Sequence, residues 1–184
     1  MEPIKLQTPL IVEDTARLRA GQTCLLSGII YTARDSAHKR LVEMLEKGEK
    51  LPFDPQGQLI YYVGPCPAPP GRVIGSAGPT TSTRMDIYTP AMLAAGVRGV
   101  IGKGDRSQEV VQALMQHKAV YFGAIGGAGA LIAKSIVQAE VVAFPDLGPE
   151  AVHRLQVKEM PVVVVIDSLG QNFYTLGRAE YSKR

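Results

Sequence analysis

Residues 161–166, PVVVVI, set five β-branched side chains in a row behind a proline. A strand written this way has no polar face to offer water, so it belongs in a sheet covered on both sides. The remaining sequence supplies the cover. Residues 23–33 (TCLLSGIIYTA) and 58–65 (QLIYYVGP) are apolar, rich in β-branched and aromatic residues and bounded by glycine or proline, which predicts strands. Between them, RDSAHKRLVEMLEKGE places Ala37, Leu41, Met44 and Leu45 on one helical face, with Gly48 as its stop. GRVIGSAGP reads as a further strand and MDIYTPAMLAAG as helix, with Pro90 either kinking it or opening a second segment. RGVIGKG is a strand, SQEVVQALMQHK a helix with Ser107 as its N-cap, and AVYFGAIGG a strand running into a glycine-rich loop. AGALIAKSIV follows as a small-residue helix. AEVVAFPD and MPVVVVIDSLGQNFYT close the chain as strands, with SLGQN turning the last into a hairpin arm. The expected class is α/β, a mixed sheet flanked by helices.

A chain of 184 residues with 46% hydrophobic content can bury one substantial core, so residues 1–184 are read as a single domain. Its 20 basic and 17 acidic residues are interspersed and the net charge is only +3, which argues against nucleic acid or a membrane surface as partner. The first residues lack a signal-peptide pattern and no apolar run approaches the roughly 20 residues of a membrane span, so a soluble, cytoplasmic protein is expected. Only Cys24 and Cys66 are present, outside any C-x-x-C or Cys/His pattern, so this chain alone cannot hold a metal cluster. Cys24 reads as a buried strand residue and Cys66 as a loop thiol. His38, His117 and His153 fall on three separate predicted helices at no ligand spacing. IGKGDRS and GAIGGAGA depart from the phosphate-loop and dinucleotide patterns.

The stretch GPTTSTRMD, residues 78–86, concentrates four hydroxyls, an arginine and a carboxylate after a predicted strand, in the style of an anion-binding loop. Arg34 ends one predicted strand, 80–84 follow another, and Lys103 follows a third; in an α/β sheet such ends gather where ligands bind. Two guanidinium forks, an ammonium and Ser/Thr hydroxyls suit a small dicarboxylate. Three unrelated surface charges are the competing reading.

SGIIYTARDSAHKRL, VIGSAGPTTSTRMDIYTPAMLAAGVRGVIGKG, YFGAIGGAGALIAKSI and AEVVAFPDLGPEAVHRLQVKEMPVVVVIDSLGQNFY occur in order over nearly the whole chain. Together they resemble the β subunit, or C-terminal domain, of class I iron–sulfur fumarate hydratases and L(+)-tartrate dehydratases, with wording closer to the fumarase branch. The resemblance implies a swivelling β/β/α domain that closes over a [4Fe–4S] cluster held by the cysteines of a separate α subunit or N-terminal domain. It implies a hydro-lyase interconverting fumarate and L-malate, with Arg34, Arg84 and Lys103 binding substrate carboxylates and Thr80 the candidate base. Thr80 as a helix cap is the alternative. Asp35, His38, Thr81 and Asp86 would support these residues, with Asp35 and His38 orienting Arg34 or simply capping a helix, and Asp86 or a partner's acid activating Thr80. Tartrate dehydration, or a non-catalytic dicarboxylate-binding module, would use the same cations. Alone, the chain is expected to be inert and prone to self-association through the face its partner covers.

Overall fold

The structure is a computed structural model and describes residues 2–124 and 129–181. The chain runs β1 (Ile4–Gln7), α1 (Val12–Ala16), β2 (Thr23–Thr32), α2 (Asp35–Glu46) and β3 (Leu59–Tyr61). A 3-10 turn (Ser82–Met85) then precedes α3 (Thr89–Ala94), β4 (Gly99–Gly102), α4 (Gln108–Gln116) and β5 (Val120–Gly123). It ends with α5 (Gly129–Lys134), β6 (Ile136–Ala143), a 3-10 segment (Pro145–Glu150), β7 (Val152–Ile166) and α6 (Phe173–Tyr181). No described helix is long and apolar enough to cross a membrane.

The seven strands form one mixed sheet in the order β1-β2-β3-β4-β5-β7-β6, with β1 to β5 parallel to one another. β7 runs antiparallel to both β2 and β5. The pairings β2-β3-β4-β5-β7-β2 therefore close into a ring. Alternation divides each strand between two apolar clusters. Leu26, Ile30, Leu59, Tyr61, Ile101, Phe122, Val162 and Val164 belong to one. Ile60, Tyr62, Val100, Tyr121 and Val165 belong to the other, beneath Ala37 and Leu41 of α2, Met92 and Leu93 of α3, and Val110 and Leu114 of α4. Burial on both sides is what the unbroken apolar runs require.

α2 ends as expected at Gly48, whose φ is +68°, and Ser107 caps α4 by accepting from the Val110 amide. Pro90 stands in the first turn of α3, after the 3-10 turn, so the predicted helix is two segments. Three expectations fail. Residues 71–79 form no strand: the Cys66 amide donates to Ser76 O and the Gly75 amide to Cys66 O, and the neighbouring prolines have no N–H for a ladder. The final hairpin arm is helix α6, because Asp167 Oδ1 gathers the Leu169 and Gln171 amides into a turn and Asn172 Oδ1 caps the next segment at the Tyr174 amide. His153 lies in β7, not on a helix. The glycine-rich loop expected at 125–128 lies outside the described residues.

Candidate anion-binding site at the strand ends

Parallel strands deliver their carboxyl ends to one edge of the sheet. β2 leads through Ala33 to Arg34, the extended residue preceding α2. The Arg34 guanidinium lies 3.4 Å from Glu150 and 3.9 Å from Asp35. It also packs against Gly64 beyond β3, where an added Cβ would sit 2.9 Å from Arg34 Nη1. Glu150 does a second job, accepting from the Ser36 amide at the N-terminus of α2, where a carboxylate complements the helix dipole.

Asp35 connects this corner to the hydroxyl-rich loop. Its Oδ1 accepts from Arg84 Nε at 2.9 Å, so one carboxylate lies between the two guanidiniums. The Arg84 side chain remains 55% exposed, leaving most of its fork to the solvent side. The loop is itself anchored: the Thr80 amide donates to Tyr62 O at 2.7 Å, and Thr81 forms an isolated parallel bridge with Lys103. Ser82 donates its amide to Lys103 O at 2.9 Å, and its hydroxyl accepts from the Lys103 amide at 3.1 Å. Gly102 makes this approach possible, because a Cβ there would collide with Ser82 Oγ.

Thr80 is half-buried and its hydroxyl makes no hydrogen bond among the described residues. Thr81, the residue preceding the 3-10 turn, does not cap it with its side chain either. Lys103 is exposed and borders a recess walled by Val163, Val165, Phe173 and Tyr174. The backbone therefore brings Thr80, Thr81, Arg84 and Lys103 together, and Asp35 ties Arg34 to them.

His38 is enclosed on α2. Its Nδ1 lies 3.0 Å from Arg34 O and its ring packs against Tyr62 and Tyr88. Nδ1 thus carries the proton, and Nε2 is buried without a partner among the described residues. Burial pulls the imidazole down to about 4, so it is neutral at neutral pH. Asp86 spends both oxygens away from Thr80, on Arg106 Nε at 2.7 Å and on the Ser107 amide at 2.6 Å. His117 closes α4, and His153 meets the Ala151 carbonyl.

Two contributors lay beyond sequence reasoning. Glu150 sits 114 positions from the Ser36 amide it meets, and no local pattern joins them. Arg106 lies inside GKGDRS, where its charge reads as surface; its side chain is 0% exposed.

Among the described residues no donor set for a metal is assembled. Cys24 is enclosed in the core, where burial pushes its thiol up to about 11, and Cys66 is exposed on a loop. Among the described residues no three His, Cys, Asp or Glu side chains are grouped to hold a metal, so the residues present do not fit an iron–sulfur cluster.

Sequence comparison gives this geometry a family context. The family model described as Fumarase C-terminus matches residues 1–177. Fumarate hydratase 2 of Leishmania major is 38% identical over 176 residues, which is 94% of this chain and 31% of that protein. The aerobic class I fumarate hydratase of Escherichia coli (strain K12) is 40% identical over 151 residues, 81% of this chain and 28% of that protein. A Methanocaldococcus jannaschii protein named "Putative L(+)-tartrate dehydratase subunit beta" is 39% identical over 171 residues, 90% of this chain and 88% of that one. The chain spans about a third of the length of the fumarate hydratases it matches, and nearly the whole of the archaeal subunit. With its α/β ring, its strand-end cations and a family match over almost its full length, the chain belongs to the fumarase C-terminus family.

Proposed function

We propose that this chain is the β subunit of a hydro-lyase interconverting fumarate and L-malate, and that it supplies the residues gripping the dicarboxylate. The observation that carries the reading is the connected strand-end set. Two guanidiniums share Asp35, and the Thr80 loop is laced to Lys103 by a bridge and two hydrogen bonds. That connection supports this reading over three unrelated surface charges.

In this reading Arg34 and Arg84 hold the substrate carboxylates, and Lys103 adds a point charge. Removing a proton beside a carboxylate builds negative charge on that carboxylate, and fixed cations stabilise it. Thr80 is the candidate base of this reading. A threonine hydroxyl is a weak base, and Asp86 is committed to Arg106 and Ser107. Activation of Thr80 therefore comes from the flanking cations or from a group on the partner.

The [4Fe–4S] cluster of this reading belongs to a cysteine-bearing α subunit. Coverage of 88% of the archaeal "subunit beta" favours a separate chain of this size, and the same relative makes tartrate the alternative substrate. The test is to co-express the chain with its cysteine-bearing partner, reconstitute the pair anaerobically and offer fumarate, L-malate and tartrate. Turnover of fumarate and malate is expected. Turnover of tartrate alone would assign the alternative, and dicarboxylate binding with no turnover would return the chain to a binding module.

A further inference from the structure

The site loops rest on a buried polar platform. Arg106 is its hub. The guanidinium is held between the rings of Tyr62 and Tyr121, 5.3 and 4.8 Å from their centroids. Its Nε donates to Asp86, and Nη2 donates to Thr89 Oγ1 at 2.7 Å and reaches Tyr62 OH at 3.5 Å. These partners lie on different segments: Tyr62 follows β3, Asp86 ends the Thr80 loop and Thr89 opens α3. Tyr121 continues the network from β5, its hydroxyl donating to Gly104 O at 2.9 Å and meeting Ser82 Oγ at 3.0 Å. Ser82 in turn accepts from the Lys103 amide. The 80–86 loop and the 103–107 loop are thus joined by Asp86 with Arg106 and the Ser107 amide, by Ser82 with Tyr121 and the Lys103 backbone, and through Thr89, which links Arg106 to Met85 O.

We propose that Arg106 is a positioning residue: enclosed between two tyrosine rings, it fixes the loop bearing Thr80 and Arg84 against the loop bearing Lys103. A wholly buried arginine is costly unless its hydrogen bonds do something an apolar residue could not. Here its planar fork joins two elements of fixed direction at a defined separation. An ammonium would keep the charge and lose that geometry. The proposal rests on the reading of Thr80, Arg84 and Lys103 as the substrate-facing set, because misalignment of such a set by about 1 Å is enough to lose roughly 100-fold in rate.

Arg106→Lys and Arg106→Gln in the full chain test it by two readouts. The first is amide hydrogen exchange. The Ser82 and Lys103 amides should exchange at least 10-fold faster in both variants, with Lys the milder, over and above any general rise read from the Leu26 and Ile30 amides in β2. Unchanged exchange at Ser82 and Lys103, or an equal acceleration throughout the chain, would overturn the proposal. The second readout is steady-state kinetics of the reconstituted pair: kcat should fall at least 10-fold in Arg106→Gln and be partly restored in Arg106→Lys. Wild-type kcat in both variants would also overturn it. If both variants fail to fold, Thr89→Val removes one Arg106 acceptor together with the Thr89 bonds to Met85 O and Tyr62 OH, and a local rise of about 3-fold at Lys103, on the Arg106 side, is expected as well as at Ser82, with no rise at Lys103 counting against the idea. A wild-type pair without turnover would refute the hydro-lyase reading, while the exchange measurement would still decide the positioning role.

Discussion

Asp86 and Arg106 meet at 2.7 Å with the guanidinium completely enclosed. Removing one member of such a pair strands the other charge without water. Asp86→Asn should therefore destabilise the chain by about 3–5 kcal/mol in denaturant melts. Replacing both, as Asp86→Leu with Arg106→Met, should cost less than the single change. A double variant less stable than Asp86→Asn would show that the pair contributes net stability.

Arg84→Lys keeps a positive charge but cannot hold Asp35 through Nε and a carboxylate through the rest of its fork. In the reconstituted pair it should lower kcat/KM by about 2 kcal/mol equivalent, roughly 30-fold. Kinetics equal to wild type would remove Arg84 from the substrate clamp.

Thr80 offers a sharper contrast, because among the described residues its hydroxyl has no structural bond to lose. Thr80→Ser should retain much more activity than Thr80→Val, while both melt within about 0.5 kcal/mol of wild type. Equal activities would return Thr80 to a structural role.

Acid should weaken the fold through His38. Its folded imidazole titrates near 4 against an ordinary 6.5, so between these values the unfolded chain binds the extra proton. Stability is fully present above about pH 6.5 and falls as the pH drops towards 4, by up to roughly 3 kcal/mol from this group. Burial depresses His153 too and adds in the same direction. His38→Gln should flatten the slope of unfolding free energy between pH 7 and 4; an unaltered slope would place the acid sensitivity elsewhere.

Gly102→Ala tests the clearance beneath the site. The new methyl must displace Ser82 Oγ, which is bound to Tyr121 and to the Lys103 amide. A loss of about 1–3 kcal/mol in stability is expected from overpacking, with weaker dicarboxylate use by the pair. Wild-type melting and kinetics would show that Ser82 can move freely.

What the sequence disclosed depended on how local each signal was. The apolar runs of β2, β4 and β5, the stripe of α2 and the Ser107 cap are written within a few positions of each other. The first half of β7 was hidden, since HRLQVKEM is polar and becomes a strand only by pairing with β2 on one side and β6 on the other. At the site, Arg34 and Lys103 stood out because they follow strands, and Arg84 because it lies in the hydroxyl-rich GPTTSTRMD loop, although the strand predicted before that loop does not form. Asp35 as the link between two arginines, Glu150 at the start of α2 and Arg106 in the core depend on contacts across the fold, and none has a spacing to reveal it.

The ring of strands also orders events in time. β2 is complete by residue 32, yet the neighbour that closes its second edge is β7, which ends at residue 166. During synthesis β2 and β5 must wait, unpaired on one side, until nearly the whole sequence has left the ribosome. Contacts so distant along the chain form slowly, and exposed strand edges invite pairing with other chains. A nascent chain halted before Val152 is therefore an open, adhesive sheet, and the last strand acts as its clasp.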